Sequence, residues 1–508
     1  MNKHYLLAID LGASGGKCFA GVCDANSFSL HEIYRFPHEA VALYVADSRG
    51  IVTERLHWDD LRLWCGIVTG LEIFRREVGP RLDAVGVDTW GADGQLLDAE
   101  GEALGKIYCY RDHRLDSMFE QITARVRPER LYEITGIHFQ PFNLSNQLLW
   151  LLQNRPGLVR PGCQFLPIPA LFYFYLGGVR KVDSTWASVT QLMDARHRQW
   201  SDEILDVLGI PRWLLPEIVE PGTVVGSLHE GLARAVGLNA ARLVAVASHD
   251  TASAFLAAPV RDPHEALIIS SGTWSLVGKL VPEPITTAEA MRFNISNEGG
   301  VGNIRCLKNC MGTWIVQELR RGWRAEDGKE MAWEELVRLA ESAEPLAVLI
   351  DPDHPGFYNP PNMERAIVEF CQASGQPVPG GRGSFVRAVY ESLALKYRMV
   401  EEQIARVTKT TTRCVHIVGG GSRNEMLNQF TADCLGLPVF AGPEEATAAG
   451  NCMVQALGLG VVSSLDEMAP LIRAAFPIRE YRPADRGRWE VAYEKFRTIC
   501  SRMAAAKG

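Results

Sequence analysis

A single acidic residue stands where an apolar segment changes direction, in the stretch LVAVASHDTASAFL (residues 243–256). Residues 243–247 have the apolar character of a buried strand, and a small-residue helix pattern follows. Asp250, at the corner, has two interpretations. It caps the helix, a role that Ser248 or Thr251 could fill equally well. Alternatively, it is a general base that accepts the proton of a substrate hydroxyl.

Three glycine-bearing turns could hold an anion. DLGASGGK (residues 10–17) joins two apolar strands, and it lacks both the GK[ST] ending of a Walker A loop and the helix of a dinucleotide fingerprint. Alone, such a turn is more often structural. SSGTWS (residues 270–275) repeats the strand–turn–strand form and adds the hydroxyl of Thr273. In IVGGGSRNEMLNQF (residues 417–430) a strand, three glycines and a helix follow one another, which would expose helix N-terminal amides to an anion.

Asp10 ends the apolar strand YLLAI, where a carboxylate needs water or a partner. Beside phosphate-binding amides it would suit Mg²⁺ held through water, because Mg²⁺ keeps several waters and takes few protein ligands. The twelve cysteines lack metal-ligand spacing, and the nearest pair, Cys306 and Cys310, does not make a zinc site. We expect ordinary thiols of a cytoplasmic enzyme.

The elements around these residues suggest a duplicated α/β architecture. Residues 10–13 and 270–273 align as equivalent turns that open two halves of similar length. Strands alternate with amphipathic helices, which predicts mixed or parallel sheets covered on both faces. Proline and charge interrupt the apolar pattern at APVRDPHEA (residues 258–266), so we predict domains at 1–258 and 259–508.

The composition narrows the class of protein. The chain has 508 residues, a net charge of −8 and 47% hydrophobic residues, which together predict a soluble protein of at least two domains. This charge argues against a nucleic-acid or anionic-membrane partner. ALFYFYLGGV is too short to span a bilayer.

The sequence resembles the FGGY carbohydrate kinases of the actin/Hsp70/sugar-kinase superfamily. The motifs that carry the resemblance span nearly the whole chain: AIDLGASGGK, VGVDTWGADG, YRDHR, TGIHFQPFN, SHDTASA, SSGTWSL, LKNCMGTWIVQE and LNQFTADCLGLPVFAGPEEATAAGN. The resemblance implies two ribonuclease-H-like domains flanking a deep cleft. It places the sugar site and the catalytic Asp in the N-terminal domain and most of the ATP site in the C-terminal domain.

The same resemblance implies roles for individual residues. Asp250 would be the base, and Asp10 would hold Mg²⁺ through water. The sugar would contact five residues: Trp90, Gly91, Asp93, His249 and Thr251. The residues expected on ATP are Ala13, Ser14, Gly15, Gly16, Lys17, Thr273, Asn309, Gln317, Gly420 and Gly421.

Several of these residues keep a structural alternative. Trp90 could be plain core, although an indole packs well on the apolar face of a sugar. Asp93, like Arg111 and Asp112, could form a solvated loop ion pair rather than bind hydroxyls. His249 is either a hydrogen-bond donor to a hydroxyl or a satisfied structural histidine.

The resemblance implies ATP-dependent phosphorylation of a ketose primary hydroxyl, with L-rhamnulose as the expected ketose and L-fuculose or another ketose or polyol as the alternative. An ATPase switch of the actin or Hsp70 kind would share the nucleotide site, but it would not need a base aimed at a small alcohol. A dinucleotide-dependent oxidoreductase is disfavoured by the missing fingerprint. The sequence leaves the oligomeric state open.

Overall fold

The computed structural model describes residues 3–46 and 48–505. The strands are β1 (His4–Gly12), β2 (Gly15–Asp24), β3 (Ser27–Pro37), β4 (Val41–Ala46), β5 (Val52–Trp58), β6 (Ala84–Thr89), β7 (Gly94–Leu97), β8 (Ile107–Tyr108), β9 (Gln164–Pro167), β10 (Lys181–Asp183), β11 (Met193–Asp194), β12 (Gln199–Trp200), β13 (Glu217–Val219), β14 (Val224–Ser227), β15 (Arg242–Val244), β16 (Ala266–Ser271), β17 (Trp274–Val281), β18 (Ser296–Gly299), β19 (Ile304–Met311), β20 (Cys414–Val418), β21 (Val439–Ala441) and β22 (Arg479–Tyr481). The helices are α1 (Asp60–Glu77), α2 (Met118–Thr123), α3 (Pro128–Thr135), α4 (Leu144–Asn154), α5 (Ile168–Gly177), α6 (Ser184–Ser188), α7 (Asp202–Leu208), α8 (Glu230–Val236), α9 (Asp250–Leu256), α10 (Ala288–Arg292), α11 (Trp314–Asp327), α12 (Trp333–Glu341), α13 (Met363–Ser374), α14 (Arg382–Thr408), α15 (Glu425–Leu435), α16 (Ala446–Gly458), α17 (Leu465–Ala475) and α18 (Arg486–Ala505).

The chain divides into two compact units. Unit 1 contains the described residues up to Pro259 together with Leu280–Cys306 and Ala446–Phe476, and unit 2 contains the remainder. The first crossing between the units follows Pro259, next to the predicted boundary at residue 258. Two later segments return to unit 1, which a boundary read from proline and charge along the sequence does not reveal.

Unit 1 is built on a six-stranded sheet in the order β14-β15-β6-β1-β2-β3. β1 and β2 form an antiparallel hairpin, whereas β1 with β6 and β6 with β15 are parallel. All six residues of β6 are buried, as expected for a central strand covered on both faces. Helix α1 packs on β2 and β3, helix α5 packs on β6, and helices α9 and α16 pack on β1 and β6.

Helix α16 reaches unit 1 from late in the chain and packs closely on α9. A Cβ at Gly450 would collide with the backbone of Ser253, so this crossing requires glycine. From the same helix, the amide of Gln455 donates to the carbonyl of Leu7 (3.0 Å) and to Oδ1 of Asn451 (2.7 Å). Unit 1 therefore takes part of its core and part of its buried hydrogen bonding from residues near the C-terminus.

Unit 2 repeats the pairing of unit 1. β16 pairs antiparallel with β17 and parallel with β20, and β20 pairs parallel with β21. The predicted equivalence of the two opening hairpins is confirmed by these pairings, since both units begin with a hairpin whose first strand pairs in parallel with a later strand. The predicted α/β class is confirmed as well.

Two further predictions concern the cysteine side chains and membrane-spanning helices. Each of the twelve cysteines is a free thiol, and most are buried. Within residues 3–46 and 48–505, no helix has the length and apolar character that crossing a membrane requires.

Candidate active site

The corner that carries Asp250 is held by neighbouring strands in unit 1. The amide of Thr89, at the end of β6, donates to the carbonyl of Ser248 (2.8 Å), and Thr89 and His249 form an isolated parallel bridge. The hydroxyl of Ser248 donates to Asp183, a buried carboxylate that also accepts from the amide of Thr185 (2.9 Å). The backbone leading into α9 is therefore fixed before any ligand binds.

The carboxylate of Asp250 has one oxygen engaged and one available. Asp250 is the first residue of α9, and His249 occupies the N-cap position without making a side-chain cap bond. Oδ1 of Asp250 accepts from the amide (2.5 Å) and the hydroxyl (3.1 Å) of Thr251. No described residue donates to Oδ2, and the side chain is 30% exposed. Asp250 is therefore not the N-cap residue of α9, although it accepts from the amide of Thr251, and its role as the base stays a prediction.

His249 lies between Asp250 and a buried ion pair. Its Nε2 is 3.5 Å from Oδ1 of Asp250, and its Nδ1 is 3.1 Å from Nη2 of Arg305 and 3.4 Å from Oε2 of Glu298. Arg305 and Glu298 are fully buried and form an ion pair with each other at 3.1 Å. The sequence pattern did not single out this pair, because isolated charges in EGGVGNIR look like an ordinary turn between strands.

Gly91 is needed where the loop after β6 passes His249. A Cβ on Gly91 would lie 2.7 Å from Nε2 of His249, which is closer than side-chain carbons approach in proteins. The ring of His249 therefore rests against the backbone of Gly91. This places the two predicted sugar-binding residues side by side.

Trp90 belongs to an aromatic wall. Its ring centroid lies 4.7 Å from that of Trp58 and 5.6 Å from that of His38, whose Nε2 is 2.6 Å from the carbonyl oxygen of Gly12. Trp90 itself is only 5% exposed. The indole is therefore part of the core, and its contact with a sugar stays a prediction.

Asp93 is buried, whereas the predicted contact with a sugar requires an accessible carboxylate. It is fully buried with φ of 72°, and Oδ2 accepts from the indoles of Trp58 (2.7 Å) and Trp90 (3.1 Å) and from the amide of Tyr110 (3.1 Å). Oδ1 accepts from Gln147 (3.1 Å). Burial raises the pKa of Asp93 to about 6, although these donors and Arg114 oppose the rise. With both oxygens occupied, Asp93 holds the aromatic wall in place.

The neighbouring pair of the YRDHR motif is also structural. Asp112 is buried and accepts from the amides of Leu56 (2.8 Å) and Arg114 (2.9 Å). The guanidinium of Arg111 stacks over Tyr110 at 5.1 Å from the ring centroid. The predicted solvated ion pair is wrong for Asp112, which is a buried acceptor of backbone amides.

Asp10 faces a second carboxylate that the sequence reasoning did not assign. In the parallel register of β1 and β6, Asp10 lies opposite Asp88, which is fully buried and accepts from Asn451 (2.5 Å). Burial first, and then the adjacent Asp10, raises the pKa of Asp88 well above its ordinary value. Among the described residues, no group of three or more His, Cys, Asp or Glu side chains could hold a metal. The donors present suit a hydrated Mg²⁺ with few protein ligands.

Some residues of the first glycine hairpin pack in the interior, and others lie at the surface. The register pairs Gly12 with Gly15, so Ala13 and Ser14 form the two-residue turn, and both are exposed. A Cβ at Gly16 would collide with the ring of Phe36, so Gly16 is explained by packing. Lys17 follows on β2, in register with Asp10. The turn at residues 13 and 14 is the part that a ligand can approach.

In unit 2, a second turn clamps the hairpin at Thr273. The amides of Gly312 (3.1 Å) and Trp314 (3.3 Å) donate to the carbonyl of Thr273, and Thr313 donates to Gly272 from both its amide (3.0 Å) and its hydroxyl (2.8 Å). Gln317, one turn into α11, donates to the hydroxyl of Thr313 (3.2 Å). Thr273 and Gln317, predicted separately from the sequence, therefore belong to one rigid pair of turns.

Asn309 has an unsatisfied buried acceptor. Its Oδ1 is buried, and none of the described residues donates a hydrogen bond to it. Asn309 lies on β19, two residues before the end of the strand and close in sequence to the turn that clamps Thr273. This oxygen could accept a hydrogen bond from a ligand, and the contact of Asn309 with the nucleotide stays a prediction.

The glycine triplet differs in detail from the prediction. Gly419 has φ of 82°, and residues 420–423 form one 3₁₀ turn before α15 begins at Glu425. Asn424 caps α15 by accepting from the amide of Leu427 (3.0 Å). The predicted direct junction of glycines and helix is therefore wrong, because an Asn cap intervenes. A Cβ at Gly421 would collide with Ser271, whereas nothing lies within 4 Å of one at Gly420, which leaves Gly420 open to a ligand.

Comparison with known proteins decides the family. Residues 54–257 match the N-terminal domain of the FGGY family of carbohydrate kinases, and residues 267–459 match its C-terminal domain. The chain belongs to the FGGY family of carbohydrate kinases. This FGGY kinase is 38% identical to the rhamnulokinase of Bacteroides thetaiotaomicron over 97% of its own length and 99% of that protein, and 36% identical to the rhamnulokinase of Halalkalibacterium halodurans over 95% and 100%.

Solved structures show the same fold at low identity. The kinase aligns with the ligand-bound xylulose kinase of Lactobacillus acidophilus with a TM-score of 0.78 and 16% identity, covering 99% of each chain. It aligns with the glycerol kinase of Plasmodium falciparum, solved with ADP, with a TM-score of 0.77 and 15% identity, covering 98% of each chain. The predicted resemblance and fold class are confirmed, and the enzyme is a carbohydrate kinase that uses ATP and a sugar.

Proposed function

We propose that this kinase transfers the γ-phosphoryl group of ATP to the primary hydroxyl of L-rhamnulose, which gives L-rhamnulose 1-phosphate. The choice of ketose rests on the full-length relatives named rhamnulokinase. The observation that carries the chemistry is the carboxylate of Asp250, with Oδ1 engaged by Thr251 and Oδ2 without a donor among the described residues. An acceptor oxygen in that state is suited to take a proton from an alcohol.

In the proposed reaction, Asp250 accepts the proton of the primary hydroxyl as the new oxygen–phosphorus bond forms. General-base assistance of this kind typically contributes ~10²–10⁴-fold to the rate. His249 and Thr251 bind and orient the sugar next to the base, and Gly91 and Trp90 supply the surface on which it rests. Positioning the two reacting oxygens is the main task of the protein in phosphoryl transfer.

The nucleotide-binding residues are proposed from the sequence motifs. In unit 1, the turn of the first hairpin and its flanks would contact phosphate groups. In unit 2, the side-chain oxygen of Asn309 is an unfilled acceptor. The full proposed set is Ala13, Ser14, Gly15, Gly16, Lys17, Thr273, Asn309, Gln317, Gly420 and Gly421. Gly16 and Gly421 enter through their backbones, since each is packed against a side chain.

Asp10 is proposed to hold Mg²⁺ through water. Mg²⁺ bound there would neutralise negative charge on the transferred phosphoryl group. Asp88 lies opposite Asp10 in the strand register, so a second carboxyl group stands next to this position. We also propose that the enzyme acts in the cytoplasm without nucleic-acid or membrane partners.

The test is a coupled assay of ADP release over L-rhamnulose, L-fuculose, D-xylulose and glycerol. We expect the highest kcat/KM with L-rhamnulose. A higher value with L-fuculose would reassign the substrate, since the two ketoses differ in the orientation of one hydroxyl. ADP release that does not depend on any added sugar would contradict the proposed transfer.

A further inference from the structure

The ion pair of Arg305 and Glu298 is buried away from solvent. It contacts the candidate site at His249. Besides the 3.1 Å contact between them, Nε of Arg305 donates to the carbonyl of Gly299 (2.9 Å). Burial raises the pKa of Glu298, but the guanidinium of Arg305 beside it opposes burial and holds that pKa below its ordinary value. Buried ion pairs are a poor source of stability, because desolvation offsets their attraction. Stability therefore does not explain the contact of this ion pair with His249.

The contact restricts the protonation of His249. A guanidinium has only donors, so Nδ1 of His249 must be an acceptor if it is to bond Nη2 of Arg305 at 3.1 Å. Oε2 of Glu298 is farther from Nδ1, at 3.4 Å, and is already paired with Arg305. The neutral ring with its proton on Nε2 is the form that fits these distances.

The opposite nitrogen then becomes a fixed donor. Nε2 faces the Cα side of Gly91 and lies 3.5 Å from Oδ1 of Asp250, which is beyond a normal hydrogen bond and already takes two bonds from Thr251. Among the described residues, Nε2 has no acceptor at a normal hydrogen-bond distance, so its N–H is available to a ligand next to Asp250.

We propose that Arg305, held by Glu298, is a positioning residue that fixes His249 as an Nε2–H donor to the ketose oxygen next to the reacting hydroxyl. This inference rests on the proposed function. In an open-chain ketose the carbon beside the primary alcohol carries a carbonyl oxygen, which can only accept. A polyol carries a hydroxyl there, which can donate or accept and so tolerates either form of His249. Loss of the fixed Nε2–H form should therefore weaken the reaction of the ketose more than that of the corresponding alditol.

The first experiment measures this selectivity. We compare kcat and KM for L-rhamnulose and its alditol, L-rhamnitol, in the wild-type enzyme and in Arg305→Met, Arg305→Lys and Glu298→Gln. Arg305→Met should lower the ketose-to-alditol ratio of kcat/KM about tenfold, the scale of one hydrogen bond, with KM for ATP unchanged. Arg305→Lys keeps a donor at this position and should restore part of the ratio. An unchanged ratio in Arg305→Met would overturn the proposal.

Two variants separate positioning from stability. Arg387→Met removes a largely buried Arg–Glu pair in unit 2, where Arg387 contacts Glu391 at 2.8 Å, and should leave the ratio unchanged. If Arg305→Met does not fold, the double variant Glu298→Leu with Arg305→Met avoids an isolated buried charge and should fold with the same loss of selectivity. Retained selectivity in the double variant would also overturn the proposal.

A double-mutant cycle tests whether Arg305 acts through His249. In a His249→Gln background, Arg305→Met should have no further effect on the ratio, since the residue that it positions is gone. Additive effects of the two substitutions would show that Arg305 acts independently, against the proposal.

Nitrogen NMR of the ligand-free enzyme gives a readout that needs no activity. With ¹⁵N-labelled histidine, the resonances that disappear in His249→Gln belong to His249. We expect the Nε2–H form in the wild-type enzyme and loss of that single form in Arg305→Met. This result would support the positioning role even if no ketose were phosphorylated, whereas an Nδ1–H or doubly protonated ring at neutral pH would refute it in an active enzyme too.

Discussion

Adding one methyl group at Gly91 should displace the ring of His249. The Cβ of an alanine would lie 2.7 Å from Nε2, 2.9 Å from Cδ2 and 3.2 Å from Cε1 of His249. Optimal separations between non-bonded heavy atoms are about 3.5–4.0 Å, so the ring or the loop must move by close to 1 Å. The ring cannot yield easily, because Nδ1 is held by Arg305 and the backbone is bridged to Thr89.

The expected cost follows from that displacement. Overpacking of a filled site costs about 1–3 kcal/mol of folding stability. A shift of ~1 Å in a positioning group lowers the rate on the order of 10²-fold. We therefore expect Gly91→Ala to lower kcat/KM for L-rhamnulose about 100-fold and to lower the melting temperature by a few degrees, without changing KM for ATP.

The assay combines ADP release with thermal unfolding and a matched glycine. Gly231→Ala, in helix α8 of the same unit, places its Cβ where nothing lies within 4 Å, and it should leave both measurements near wild type. Gly91→Ala combined with His249→Ala should recover the melting temperature but not the activity. If Gly91→Ala alone retained full kcat/KM, the placement of His249 against Gly91 as part of the site would be refuted.

Four other changes have defined outcomes. Asp250→Asn should keep ketose binding by calorimetry and lose about 10²–10⁴-fold in kcat, and retained turnover would remove the assignment of the base. Asn309→Leu should raise KM for ATP without lowering the melting temperature, because its Oδ1 has no described partner to lose; an unchanged KM would disconnect it from the nucleotide. Asp93→Asn should destabilise the fold by about 1.5–3 kcal/mol and change the near-ultraviolet circular dichroism, since two indoles lose a charged acceptor. Burial raises the pKa of Glu391 to about 7, so the native state binds more protons than the unfolded chain between about pH 4.5 and 7. Stability should fall by up to about 3 kcal/mol as pH rises through that window, and Glu391→Gln should remove this part of the pH dependence in urea titrations.

The parts of the fold that the sequence predicts are those set by local patterns. The hairpin at residues 10–17 and the hairpin at residues 270–275 follow from apolar strands and turn glycines, and the structure contains both. The late segments that join unit 1 could not be predicted in this way, because packing between distant segments leaves no periodic signal.

The candidate site also contains residues that the sequence reveals and residues that only the fold reveals. Asp250 is recognisable because a charge at the end of an apolar strand is unusual. Asp93 shows the limit, since a loop carboxylate in DTWGAD looks like a sugar ligand until its four donors are known. Glu298 and Arg305 flank a glycine turn in the sequence, and only the fold reveals that they are paired beside His249.

The late arrival of α16 has a consequence for biosynthesis. Gln455 donates a hydrogen bond to the carbonyl of Leu7, and Asn451 donates one to the carboxylate of Asp88. The first strands of the chain therefore complete their hydrogen bonding only after α16 has been synthesised. When only the first 260 residues have left the ribosome, the sheet of unit 1 lacks the hydrogen bonds that α16 supplies. The first half of this kinase should therefore not fold into a stable separate fragment.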